Sequence, residues 1–360
     1  MSPEHLCDAV RAAADARRPL RIKGGGSKDF YGQAAAGGVL DTRAYAGIVT
    51  YEPTELVITA RAGTPLAEVE AALAGHAQLL PFEPPHFGGG ATIGGAVAAG
   101  LSGPRRAATN GYYGAVRDFV LGAKLIDGRG DLLSFGGQVM KNVAGYDVSR
   151  MLAGSMGTLG VITEVSLKVL PAPVATRTLR LSIRDPAQLI VKLNAWGGMP
   201  LPITATAWHD DDLGIRLEGA QAAVESACRK LGGDVVGADQ AARFWRGVRD
   251  HTDPFFSGAT PLWRLSVPST TIPLTLPGKQ FIEWGGALRW LAGDAPAAVI
   301  RKAAAQAGGH ATLFRAAADL QREAGVFAPL GPVLARIHKN LKAAFDPHGV
   351  FNPGRMYPDL

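Results

Sequence analysis

The chain has 360 residues, 47% of them hydrophobic and 19% charged, the make-up of a globular protein long enough for two domains with separate cores. Its net charge of +6 favours anionic ligands, but Lys and Arg are scattered, and without a run of five or six the sequence offers little for nucleic-acid binding. Cys7 and Cys228 are its two cysteines; they exclude a disulfide framework and an iron–sulfur cluster held by this chain's own thiolates.

The first residues, MSPEHLCDAVRAAADARRP, lack an apolar signal core. The longest apolar-looking stretch, Ala91 to Leu101, is far below the roughly 20 residues a membrane span needs. These features read as a cytoplasmic protein with no transmembrane segment, leaving open a peripheral attachment to the membrane through partners. Residues 4 to 17 have the spacing of an amphipathic helix, with Leu6, Val10 and Ala13 on one face and Pro19 as its stop. LRIK then predicts a short strand that runs directly into a glycine loop. Residues 38 to 50 read as strand, turn, strand, and Val57 and Ile58 as a strand followed by a helix from Thr64 with Pro65 in its first turn.

Apolar runs on either side of Asp127-Gly128 predict a hairpin. Residues 146 to 153 predict a short helix, and Gly160 to Pro171 a closing strand in which Val161, Thr163, Val165, Leu167 and Val169 alternate. Pro171 and Pro173 mark a boundary. Beyond it, TATAW, GIRLEG, LWRLSVP, FIEWGGALRWL and ATLFRA are strand-like, with helical patterns at 219–231, 238–249, 295–307 and about 332–345. That alternation predicts an antiparallel sheet with helices on one face.

Glycine is the strongest signal. It reaches 46 of 360 residues, against an average usage of about 7%, and much of the excess falls in KGGGSK (Lys23 to Lys28), FGGGATIGGAVAAG (Phe87 to Gly100) and KNVAGYDVSRMLAGSMGTLGVIT (Lys141 to Thr163). Such loops leave backbone N–H groups free and close enough to hold an anion, and Ser27, Thr92, Ser102, Ser155 and Thr158 add hydroxyls. One loop is as well explained by a tight turn or close backbone packing. Three together favour a single long phosphate-bearing ligand, although none contains the G-x-G-x-x-G or G-x-x-x-x-G-K-[ST] pattern.

The order GGGS, GGGATIGGAVAAGLSGP, KNVAGYDVSRMLAGSMGTLGVITEVSLKVLP and FDPHGVFNPGRM resembles the FAD-binding domain of the vanillyl-alcohol oxidase (PCMH) type, and within it the FAD-binding accessory subunits of bacterial glycolate oxidases. The resemblance implies an α+β chain: a PCMH-type FAD domain of two α/β subdomains over 1–171, an α+β cap with an antiparallel sheet over 172–331, and a helix and tail over 332–360 returning to the FAD domain. It further implies that Lys23, Gly24, Gly25, Gly26, Ser27 and Lys28 wrap the pyrophosphate. Thr92, Ile93, Gly94 and Gly95 would run under it towards the flavin, with Ser102 and Gly103 continuing along that path. Gly157, Thr158 and Gly160 would approach the FAD, Val161 and Ile162 would meet the adenine through main chain, and Asn352, followed by Pro353, would return to the flavin edge. The histidine that often attaches flavin covalently in the first family loop is replaced here by Gly25, Gly26 and Ser27, which implies non-covalent FAD, and Met156 stands where related catalytic dehydrogenases carry Glu.

Oxidation of a 2-hydroxy acid needs a cation for the carboxylate and a base for the hydroxyl proton. Catalytic relatives meet this with Arg and a His/Glu cluster that can hold a metal. Here His209, His251 and His310 are isolated in sequence, no metal site is expected, and the predicted catalytic shell is poor. HDDD from His209 reads as a polar hairpin turn. Arg264 and Arg289 are weak catalytic candidates, with packing, cation–π or ion-pair roles as the plainer alternative. Tyr112, Tyr113 and Tyr146 read as core more than as flavin-pocket residues, and Arg105 and Arg106 as an exposed pair or phosphate ligands. The resemblance therefore implies an accessory or electron-relay FAD subunit of a glycolate oxidase complex, with a larger FAD-containing catalytic subunit and an iron–sulfur subunit as partners. The alternatives are a self-sufficient FAD-dependent D-2-hydroxyacid dehydrogenase and a flavin-free interaction subunit.

Overall fold

Pro3 opens the first helix, Pro3–Asp15, which buries Leu6, Cys7, Val10, Ala13 and Ala14. The computed structural model describes residues 2–109, 111–137, 147–258 and 261–360. After the helix, strand Leu20–Lys23 pairs in parallel with Gly38–Asp41, and Phe351 in the tail bridges to Leu20 in parallel on its other side.

A second layer is a five-stranded antiparallel sheet in the order Ile48–Glu52, Val57–Arg61, Val161–Lys168, Val120–Ile126, Leu132–Gly136. The predicted hairpin is present: Asp127 Oδ1 accepts from the N–H groups of Arg129 and Asp131 at 2.9 and 3.0 Å and closes the turn. Alternation in Val161–Lys168 fails as a burial signal, because this central strand is buried at seven successive positions. Helix Leu66–Ala74 and helix Ile93–Ala99 cover one side of the sheet, contributing Leu66, Val69, Leu73, Ile93 and Val97 to its core.

The second half forms an eight-stranded antiparallel sheet, ordered Asp234–Val236, Ala175–Ser182, Asp212–Gly219, Ile203–His209, Lys279–Glu283, Leu288–Ala292, Leu262–Ser266, His310–Arg315. FIEWGGALRWL is two strands, with Trp284–Gly286 turning between them. The HDDD segment is a two-residue hairpin turn: Asp210 and Asp211 both take positive φ and His209 pairs with Asp212, the geometry a type I′ connection demands.

Helices do not keep to one face of this sheet. Pro186–Gly197 and Gln221–Leu231 pack on one side through Leu189, Leu193 and Val224, and Ala297–Gln306 covers the same side further along through Ile300 and Ala304. Helix Ala238–Asp250 packs on the other side, where Trp245 and Val248 join Ala99, Leu101 and Met156 from the glycine loops. The two halves of the chain thus share a core, and the glycine loops end inside it.

Candidate functional site

Strand Leu20–Lys23 delivers its end to the first glycine loop, and close packing sets the loop's position. A Cβ on Gly25 would stand 1.4 Å from the carbonyl oxygen of Gly90, and one on Gly24 2.5 Å from Thr92 Oγ1. The first two glycine segments therefore abut as bare backbone. Thr92 caps the helix that follows, its Oγ1 accepting from Gly95 N at 3.2 Å, which fixes where Gly94 and Gly95 stand.

The tail fastens the third segment to the first. Asn352 Nδ2 donates to Met156 O at 2.7 Å and its Oδ1 accepts from Ile22 N at 2.8 Å. Asp346 holds the turn before it, accepting from Val350 and Phe351 N–H and pairing with Lys342 at 2.7 Å.

Between these segments runs a cleft of 220 Å³, adjoined by a recess of 80 Å³ over Gly94, Gly157 and Gly160 that shares Ile22, Gly24 and Asn352 with it. Four cations line its mouth, Arg21, Lys23, Lys28 and Arg355, against one carboxylate, Asp29, which pairs with Lys23 at 3.4 Å. Lys28 is buried, and burial lowers its pKa to about 8; the partner within bonding reach is the Ser27 hydroxyl at 3.3 Å. Arg21 Nε is buried with no partner among the described residues. Lys23 is paired with Asp29 and Arg355 donates to the Gln33, Lys28 and Asp29 carbonyls, so Lys28 and Arg21 Nε are the cationic donors here without an acidic partner, beside open backbone of the kind that suits an anion.

Ile162 lines the inner part of the cleft with Asn352. Val161 faces away, into the core under the first helix. Ile93 is in the core and Thr92 is spent on capping. Gly26 and Ser27 shape the loop without facing the cleft. The hydroxyl of Thr158 donates to Ser155 O at 2.7 Å. Ser102 and Gly103 lie further on, at a small separate chamber, where Ser102 Oγ is buried without a partner among the described residues. Among the described residues of the cleft there is no His, Cys or Tyr. Tyr146 and the KNVAG segment lie outside the described residues.

Arg264 and Arg289 separate by strand parity. Arg264 pairs across with Trp290, and Arg289 with Leu265; successive side chains point to opposite faces, so Arg264 faces the glycine loops and Arg289 faces away. Arg289 is buried, with donors spent on Gly286 O and on the Thr271 and Ile272 carbonyls. Arg264 lies over the Trp284 ring at 5.1 Å, Arg106 lies over the same ring at 4.6 Å, and the indole Nε1 donates to Gly103 O at 3.2 Å.

Two sequence expectations are corrected, those on Arg105 and on Tyr112. Arg105 is no exposed loop residue: it is held in a buried lattice with Glu83, Glu218 and Arg216, with Arg105–Glu218 at 2.8 Å and Arg216–Glu83 at 2.9 Å. Tyr112 is 69% exposed and does not belong to the core. His251 is remote from Arg264 in sequence but lines the same chamber. Among the described residues no group of three His, Cys, Asp or Glu could hold a metal ion, and no helix is long and apolar enough to cross a membrane.

A family model described as an FAD binding domain matches residues 1–136, which include the first two glycine segments. Glycolate oxidase subunit GlcE of Escherichia coli (strain K12) is 50% identical over 355 residues, 99% of this chain and 97% of that protein. The chain belongs to this family of glycolate oxidase subunits. Glycolate oxidase subunit GlcD of Bacillus subtilis (strain 168) is 26% identical over 68% of this chain and 64% of that protein. A D-lactate dehydrogenase of Archaeoglobus fulgidus is 31% identical over 47% of this chain and 37% of its own length. The fold is shared with alkyldihydroxyacetonephosphate synthase at a TM-score of 0.64 and 16% identity, covering 97% of this chain and 75% of that structure.

Proposed function

We propose that this chain is the FAD-binding subunit of a complex that oxidises glycolate to glyoxylate, acting beside a larger FAD-containing catalytic subunit and an iron–sulfur subunit, in an accessory or electron-relay role. The observation that carries the reading is the convergence of Lys23, Gly24, Lys28, Gly94, Gly95, Gly157 and Asn352 on one cationic cleft and its inner recess. Removing a hydride from C2 and a proton from the hydroxyl of glycolate needs an acceptor that no amino-acid side chain provides, and bound FAD supplies it, together with one-electron release.

The chain's own residues do the binding and orienting. Lys23, Lys28 and Arg21 neutralise the pyrophosphate, and Gly24 and Gly25 give it bare backbone, with Gly26 and Ser27 setting the loop. Gly94, Gly95 and the Thr92 cap hold the second segment under it, while Gly157, Gly160 and Ile162 close the inner wall and Asn352 locks that wall to Ile22. Residues 1–171 would form the FAD domain, 172–331 the cap and 332–360 the returning tail. With Cys7 buried and Cys228 distant from it in sequence, electrons leaving this flavin for an iron–sulfur centre must pass to a partner. Membrane attachment, if the complex has it, would come through those partners.

Purification of the chain alone and together with its partners tests this. The chain should be yellow yet oxidise glycolate slowly with an artificial acceptor, and the assembled complex should be far faster. Turnover by the isolated chain equal to that of the complex would overturn the accessory role.

A further inference from the structure

One face of helix Ala238–Asp250 carries Ala238, Ala241, Ala242, Trp245 and Arg249, a single stripe at helical spacing. Trp245 spans to the sheet: its indole Nε1 donates to Thr178 Oγ1 at 2.9 Å, and the Arg216 guanidinium lies over the ring at 4.9 Å. The alanines are too short to do the same. Between them and the edge strand Asp234–Val236 a cavity of 670 Å³ remains, against 220 Å³ for the FAD-domain cleft, and the two share no lining residue.

The charges on the cavity walls do not balance. Arg216 and its neighbour Arg105 are matched by Glu83 and Glu218, with Arg216–Glu83 at 2.9 Å and Arg105–Glu218 at 2.8 Å, so this buried quartet is neutral. Arg249 pairs with Asp250 at 2.7 Å. Arg177 and Arg246 remain, both exposed and neither with a carboxylate partner among the described residues. Arg177 spends one donor on Thr176 O at 2.8 Å. Guanidinium donors left open on a cavity wall suit a carboxylate or a phosphate. The lining also has an apolar part, made by Val236, the alanines and Val235, which is 61% exposed, and covering such surface with a ligand body is favourable.

We propose that this cavity binds an organic dianion with an apolar body, its charged end held by Arg177 and Arg246 and its body laid between Val235, Val236 and the alanine face of the helix. Size and charge set the class. The volume falls within the range of about 300–1,000 Å³ usual for small-molecule sites, and a two-carbon acid would leave most of it empty, so the ligand is larger than glycolate. Two uncancelled cations match two negative charges. The site goes beyond the proposed function and does not rest on it, since none of its lining residues belongs to the cleft that would hold FAD.

The test is a calorimetric titration of 1-naphthyl phosphate into the full-length chain saturated with FAD, with inorganic phosphate and 1-naphthol titrated separately as the charged end and the body alone. The ester should bind at one site, at least about tenfold tighter than either half, and the double variant Arg177→Ala, Arg246→Ala should weaken it at least about tenfold. Ala242→Trp, which sets an indole into the cavity from an exposed helix position, should weaken it as much, and both variants should keep their FAD and their circular dichroism. No saturable binding, binding unchanged in either variant, or equal binding of inorganic phosphate would overturn the proposal. So would binding that appears in the FAD-free chain and vanishes on adding FAD, which would place the probe in the cleft. A wild-type chain that takes up no FAD would sink the flavoprotein reading instead, and the two variants would still decide the cavity.

Discussion

Asn352 Nδ2 donates to the Met156 carbonyl at 2.7 Å across 196 residues of sequence. This amide, whose oxygen also accepts from Ile22 N, holds the third glycine segment against the first strand and so sets the width of the cleft. Asn352→Ala should cost about 1–3 kcal/mol of stability, the usual loss for abandoned buried partners, and weaken FAD retention. Thermal unfolding with and without added FAD measures both effects. Equal melting temperature and equal flavin content in the variant would contradict the role.

Gly25→Ala tests the abutment of the first two glycine segments. A methyl group 1.4 Å from Gly90 O cannot be absorbed by a side-chain rotation, since both neighbours are backbone. The loops must part, and the variant should fold with most of its stability but lose flavin. The measured quantity is the ratio of bound flavin to protein.

Lys28 gives the cleft a pH dependence. Burial lowers its pKa to about 8, so the free protein loses this charge as pH rises past 8, and each further unit then demands about 1.4 kcal/mol to recharge it for a diphosphate. FAD affinity should therefore fall by up to about tenfold per unit above pH 8. Lys28→Arg should flatten that decline, as seen by fluorescence titration of FAD.

Acid stability turns on Glu83. Burial pushes its pKa up, but Arg216 and Arg105 outweigh that and hold it at about 2 against an ordinary 4.5. A carboxyl with a depressed folded pKa contributes stability that is complete above 4.5 and is lost as pH falls through 4.5 towards 2, here about 3 kcal/mol. Urea unfolding from pH 6 to pH 3 should show about 2 kcal/mol of this loss, the rest falling below pH 3. In Glu83→Gln the decline should be shallower and the protein weaker at neutral pH, because Arg216 and Arg105 then share Glu218 alone.

Much of this was legible in the sequence. Glycine runs fed by a strand announced the cleft, and the Asp127-Gly128 and HDDD turns announced hairpins, because each depends on local backbone chemistry. The burial of Val161–Lys168 was not legible, since a strand's two-sided burial depends on what the rest of the chain lays over it. Helix Ala238–Asp250 packs opposite to its neighbours for the same reason. The parity that turns Arg264 inward and Arg289 outward becomes readable only once FIEWGGALRWL is divided into two strands. His251 had no local signal: a left-handed helix end carries it to Arg264, and spacing along the chain does not encode that meeting.

The most direct test of the central claim is the absorbance spectrum of the purified full-length chain, followed by denaturation and filtration. The account predicts a flavin band close to one FAD per chain, with the colour passing wholly into the filtrate. A chain that stays colourless after incubation with FAD, or one whose flavin remains on the denatured polypeptide, would contradict it.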